Sequence, residues 1–158
     1  MTAFRLTVPS SRAVILGMAC LATDFGGDRV VVAEDRMVVV RREDAKFTPL
    51  SPSQPDGTQV AVLWGDPAIG PSTMLMRMRK TAGRLHYHTF GYDLVLLEGQ
   101  MKHWGEREQE AETSPLGPGS YWHQPGLLPH GDSCLTDECL MFIKWEGKRD
   151  AMLASPPK

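Results

Sequence analysis

The sequence predicts an all-β fold, a sandwich or barrel of short strands in a single domain. Short apolar runs recur along the chain at regular spacing, Gly- and Pro-rich breaks separate them, and no long amphipathic helical stretch occurs. With 158 residues the chain is long enough to bury one core of its own. Hydrophobic content of 42% and charged content of 23% are those of an ordinary soluble domain. A formal net charge of −2 gives no electrostatic reason to expect nucleic acid or acidic lipid as a partner. The basic residues are also scattered, the densest group being Arg77, Arg79 and Lys80.

Residues 1–22 read as a secretory leader. Arg5 and Arg12 precede the apolar run AVILGMACLA (13–22), small residues close it, and no acidic residue comes before Asp24. The run is too short to span a bilayer. Export places the mature protein in the periplasm or outside the cell, with no membrane attachment after leader removal. The alternative is a first strand or helix of a cytoplasmic domain, which Pro9 and the long basic segment keep open.

Residues 23–58 are expected to pack on a barrel formed by 59–150. Within them VVVAEDRMVVVRRE (30–43) holds two Val-rich strand candidates, and PLSPSQPDGT (49–58) is loop. QVAVLWGDP (59–67) is a strand ending in a turn. TMLMRMRK (73–80) alternates, with Met74, Met76 and Met78 on one face lining a core or pocket. HYHTFGYDLVLLEG (86–99) is a strand that MKHW (101–104) continues, and GEREQEAETS (105–114) is a solvated connector. SYWHQP (120–125) and CLMFIKW (139–145) are the last strands, and residues 151–158 form a loose tail. Cys134 and Cys139 are separated by four residues of turn-forming character. They face each other across a hairpin as a disulfide in an oxidising compartment, or are two small buried apolar side chains.

Chemistry concentrates in two stretches. In a strand, residues i and i+2 share a face, so His86 and His88 point together, and neutral imidazole is the commonest protein metal ligand. In GSYWHQPGLLPHG (119–131), Gly119 is followed after five residues by Pro125 and after four more by His130. This arrangement resembles the paired motifs of the cupin superfamily: His-x-His, three or four residues, Glu, six residues, Gly; then Gly, five residues, Pro, x, Gly, two residues, His. The resemblance covers residues from about 59 to 145. Within the superfamily, WGDP, HYHTFGYDLVLLEG and GPGSYWHQPG are similar to single-domain bacterial cupins of unknown function, near the ChrR-type anti-sigma-factor cupins.

The resemblance implies a jelly-roll β-barrel, a double-stranded β-helix, with one divalent ion held by His86, His88 and His130. Three imidazoles suit zinc or iron(II) and also accept nickel, copper or manganese. Two departures stand out. Counting back from Gly99, the slot of the cupin glutamate falls on Tyr92; counting forward from His88, it falls on Asp93. These neighbours face opposite sides of a regular strand. Register from the glycine turn makes Tyr92 the first choice for the interior, with Asp93 the alternative ligand. Gly126 also follows Pro125 directly, one position early. Gln124, Trp122 and Met76 are candidate pocket residues, His123 a partly exposed strand residue, and His103 peripheral.

The implied function is that of a metal-dependent enzyme acting on a small organic molecule of the carbonyl or enol class, dioxygenase-like, with Tyr92 steering substrate or a proton. The alternative from another class is a non-catalytic ligand-binding or sensor module with a structural zinc. A third reading has no metal at all. Edge strands are compatible with a homodimer.

Overall fold

The computed structural model describes residues 37–154. The leader assigned to 1–22 and the first Val-rich run lie outside the described residues. Nine strands follow in chain order: β1 (Thr48–Pro49), β2 (Gln59–Gly65), β3 (Ser72–Thr81), β4 (His86–Tyr87), β5 (Tyr92–Glu98), β6 (Met101–Gly105), β7 (Tyr121–Gln124), β8 (His130–Trp145) and β9 (Met152–Leu153). Among the described residues the only helical turns are two short 3₁₀ segments, Arg42–Asp44 and Glu110–Glu112.

All strand pairs are antiparallel, and β8 is the hub. Its second half lies between β3 and β5, and its first half pairs with β6 and touches β4 at His86↔His130. β2 and β1 extend the β3 side, β7 extends β5, and β9 pairs with β4. Register shifts at Arg79/Thr81 and Leu96/Glu98 add bulges to the natural strand twist, and the sheet curls around its inner face.

Period two decides which residues enter that face. Met74 of β3, Tyr92, Leu94 and Leu96 of β5, and Met141, Ile143 and Trp145 of β8 form the main core. Their neighbours Leu75 and Leu140, with Ala61, form a smaller cluster on the outer face, covered by Ala45 and Phe47. Met74, Leu96 and Met141 are wholly buried, each worth about 1.5–3 kcal/mol over an exposed position. Gly99 adopts φ +88°, a left-handed turn that lets β6 reverse out of β5.

Four expectations need correction. Val38, Val39 and Val40 are exposed and form no strand: the run has apolar residues, but among the described residues no edge pairs with its backbone. The strand expected over 86–99 breaks after Tyr87 and resumes at Tyr92. Cys134 and Cys139 are joined in a disulfide, but not across the two ends of a hairpin. Both lie in the 16-residue β8, where the chain bulges out between them. Finally, residues 152–153 are not loose tail, because β9 adds to β4 opposite His86 and Tyr87. Residues 155–158 lie outside the described residues.

Candidate metal centre

His86 ends the barrel approach on β4, His88 follows it in the turn, and His130 opens β8. The pairing His86↔His130 brings the two motifs together. One ring nitrogen from each of the three histidines lies within 4.8 Å of the others. His88 and His130 are buried, and His86 is half-buried.

Hydrogen bonding sets how these rings face. Nδ1 of His86 donates to the Arg84 carbonyl at 2.9 Å, Nδ1 of His130 donates to the Leu128 carbonyl at 3.1 Å, and Nδ1 of His88 donates to the Asp150 carbonyl. A carbonyl oxygen only accepts, so each Nδ1 carries the proton and each Nε2 is left with a lone pair. Anchoring of the distal nitrogen to a carbonyl is the arrangement that orients metal-binding histidines. The three rings therefore fit a divalent cation. Burial holds His130 in its neutral form, with its pKa lowered to about 4. It also lowers that of His88, against the upward pull of its bond to Asp150.

Tyr92 faces the interior, 3% exposed, with its hydroxyl 3.2 Å from His130 Nε2. Burial pushes the phenol well above its ordinary pKa, so it keeps its proton and does not serve as a phenolate ligand. Asp93 is corrected as a ligand. It points to the opposite side of β5, where its carboxylate accepts from the Tyr121 hydroxyl at 2.7 Å and from His123 Nδ1 at 3.1 Å. Those two bonds, the Tyr121 one first, hold Asp93 below the usual carboxylate range.

Two side chains at the centre were not assigned from the sequence, or were assigned elsewhere. Asp132, two residues beyond His130, places Oδ2 3.6 Å from His130 Nε2 and 3.9 Å from His86 Nε2. His103 is not peripheral: it stacks on Trp122 and donates from Nδ1 to Asp132 Oδ1 at 2.8 Å. Burial favours the neutral acid at Asp132, but the hydrogen bond from His103 opposes it, and the carboxyl stays below its ordinary value. The available signal was the i, i+2 spacing of His130 and Asp132 in a strand, the same argument that joined His86 to His88.

The turn that delivers His130 explains the misplaced glycine. Leu127 sits at φ +62° and donates its N–H to the His88 carbonyl at 2.7 Å. It occupies the position where the cupin motif has its glycine. Gly126 is needed for a different reason: a Cβ there would lie 2.6 Å from the Thr89 carbonyl oxygen. Leu127 is 68% exposed, so its side chain contributes little packing. Leu127→Gly is expected to raise stability by about 0.5–1 kcal/mol, the left-handed penalty of a branched residue less the added chain entropy of glycine. Chemical denaturation checks this, and a lower midpoint would contradict it.

A cavity of about 470 Å³ opens beside the histidines. Its walls are largely apolar, with Met76, Met78, Met141, Ile143 and Trp145, and its polar groups include His86, His88, Tyr92, Asp132, Arg84 and Arg149. Gln124 and Trp122 do not line it. Gln124 instead donates from Nε2 to the Pro125 and Leu128 carbonyls, fixing the turn before His130, and Trp122 belongs to the core. The Arg149 guanidinium sits 5.9 Å from the Trp145 ring centroid, half-buried, with Nε lacking a hydrogen-bond partner.

Comparison with known proteins places this geometry. The family DUF4437, described as a domain of unknown function, matches residues 22–152. No curated protein sequence matches the chain. Among solved structures, an RmlC-like cupin from Ralstonia eutropha JMP134 is 15% identical with a TM-score of 0.57, over 71% of this chain and 69% of that one. The polyketide cyclase RemF from Streptomyces resistomycificus is 20% identical with a TM-score of 0.57, over 77% and 90%. FeII HppE is 13% identical with a TM-score of 0.54, over 72% and 62%. The chain belongs to the DUF4437 family, and its fold is the cupin jelly roll.

Proposed function

We propose that the protein is a metal-dependent enzyme that holds one divalent ion, iron(II) or zinc, on His86, His88 and His130. Its substrate is a small organic molecule of the carbonyl or enol class. The observation that carries this reading is the convergence of three imidazoles, one ring nitrogen of each within 4.8 Å of the others and each Nδ1 held by a backbone carbonyl, beside a mostly apolar cavity that His86 and His88 line. Proteins of similar fold, the polyketide cyclase RemF and FeII HppE, support such chemistry on this scaffold.

When bound, the ion polarises a carbonyl or enol oxygen and, as iron(II), supplies redox chemistry. The chain does the rest. The methionine wall takes up the apolar body of the substrate and excludes water. Arg149 offers a desolvated positive charge to an anionic oxygen, and Tyr92 holds a proton beside His130. Replacing Arg149 with methionine keeps the packing and removes the charge. Affinity for carboxylate or enolate ligands is expected to fall roughly 10-fold or more, the worth of a charge-assisted hydrogen bond. Calorimetric titration of a small carboxylate series reads it, and unchanged affinity removes Arg149 from recognition.

Metal analysis of tag-free protein tests the reading. Near-stoichiometric iron with oxygen uptake on a panel of dicarbonyl compounds supports the enzyme. Tightly held zinc that resists chelation, without turnover, supports the ligand-binding module instead. A His86→Ala variant that keeps its full metal content sinks both.

Export belongs to the same proposal. It is supported by the basic and apolar pattern of 1–22, by the start of the family match at residue 22, and by a disulfide outside the leader. N-terminal sequencing of protein recovered by cell fractionation decides it. A cytoplasmic chain starting at Met1 or Thr2 overturns it.

A further inference from the structure

We infer that Asp132 supplies a fourth protein ligand to the ion, through one carboxylate oxygen, and that His103 is the residue that positions it. This rests on the three-histidine reading and extends it to a residue outside both sequence motifs.

The geometry is specific. Two atoms that bind one ion at about 2.0–2.2 Å each lie no more than roughly 4.4 Å apart. Asp132 Oδ2 meets that limit against two of the three histidines, at 3.6 Å from His130 Nε2 and 3.9 Å from His86 Nε2. Oδ1 is occupied by His103, which turns Oδ2 toward the centre. Among the described residues no hydrogen bond reaches Oδ2.

The electrostatics favour a cation there. Asp132 is 15% exposed, and its free oxygen faces nitrogens whose protons are committed to backbone carbonyls on the far side of the rings. A carboxylate oxygen set against imidazole lone pairs is repulsive and poorly solvated. One divalent ion between them converts every one of these contacts to attraction. Three neutral imidazoles also leave the full charge of the ion buried, and one carboxylate halves it.

The backbone is built to hold this pose. His130 and Asp132 share a face of β8, and Gly131 between them lies against Trp104, where a Cβ would come within 2.3 Å of the ring. Behind His103 stands Trp122, stacked at 5.0 Å. Tyr92 fills the slot of the cupin glutamate, so the acid enters from the second motif instead of the first.

Cobalt(II) provides the test, read by competition with a chromophoric chelator and by the visible spectrum of the bound ion. Asp132→Asn is expected to weaken cobalt binding at least about 10–100-fold and to change the spectrum, as loss of a donor requires. His103→Ala, which leaves the carboxylate unheld, is expected to weaken it roughly 10-fold and to shift the spectrum in the same direction. If Asp132→Asn binds cobalt as tightly as the parent, with the same spectrum, while His130→Ala loses it, Asp132 is not a ligand and the histidine site stands. If His130→Ala also keeps cobalt, the histidine reading itself fails. Should the Asp132 variant not fold, a crystal structure of the cobalt-loaded parent decides. An oxygen of Asp132 at about 2.0–2.2 Å from the ion supports the inference. A water interposed between them, or an Asp132 paired with a protonated His86, overturns it.

Discussion

Replacing His130 with alanine is expected to abolish stoichiometric metal binding. His130 is the most buried of the three histidines, 1% exposed, and the one that ties the second motif to the first through its pairing with His86. Loss of a partner that merely orients a ligand costs roughly 10–100-fold in affinity, so loss of the ligand itself should cost more than 100-fold. Titration against a chelator of known affinity measures the drop. The metal-free protein should also be destabilised, by about 1–3 kcal/mol, because the Leu128 carbonyl and the Tyr92 hydroxyl both lose a partner in a buried setting. Retention of one equivalent of tightly bound metal in this variant would remove the basis of the proposed chemistry. A pure stability loss with full metal content would assign His130 to the core alone.

The outcome at β5 shows what a period-two argument can and cannot reach. Tyr92 and Asp93 compete for one slot by counting, yet they face opposite sides of a strand. Gly99, turning at φ +88°, sets a register that puts Tyr92 inside with Leu94 and Leu96. The motif histidines were legible for the same local reason. The spacing of His130 and Asp132 was available in the same way, but His103 escaped because its meeting with Asp132 is made by strand pairing between β6 and β8, at His103↔Asp132, which no short-range spacing encodes. The same holds for β9, a two-residue strand whose only signal is the edge of β4 that receives it. Val38–Val40 failed in the opposite direction: β propensity was present, but no edge among the described residues takes up the backbone. Hydrophobic pattern thus identifies faces within an element, while the assembly of the site depends on which edges meet.

Reducing the disulfide between Cys134 and Cys139 is the second change with a large expected effect. A regular strand rises about 3.3 Å per residue, so five steps would separate the two Cα atoms by roughly 16 Å. They are 5.9 Å apart, because β8 bulges between its first half, paired with β6, and its second half, paired with β3 and β5. The bond closes the bulge at the point where the strand passes from one set of partners to the other, and both residues are buried. Closing so short a loop removes chain entropy worth about 2 kcal/mol from the unfolded state. For a domain of this size that corresponds to roughly 5–10 °C in melting temperature. Thermal unfolding with and without reductant, alongside the Cys134→Ser/Cys139→Ser double variant, reads the effect. The variant and the reduced parent should melt together, both below the oxidised parent. The short loop limits the entropic gain but does not weaken the geometric role: without the bond, the bulge must be held by the ladders on either side alone. An oxidised and a reduced protein with the same melting temperature would mean that those ladders suffice, and that the two sulfurs contribute only as buried apolar atoms.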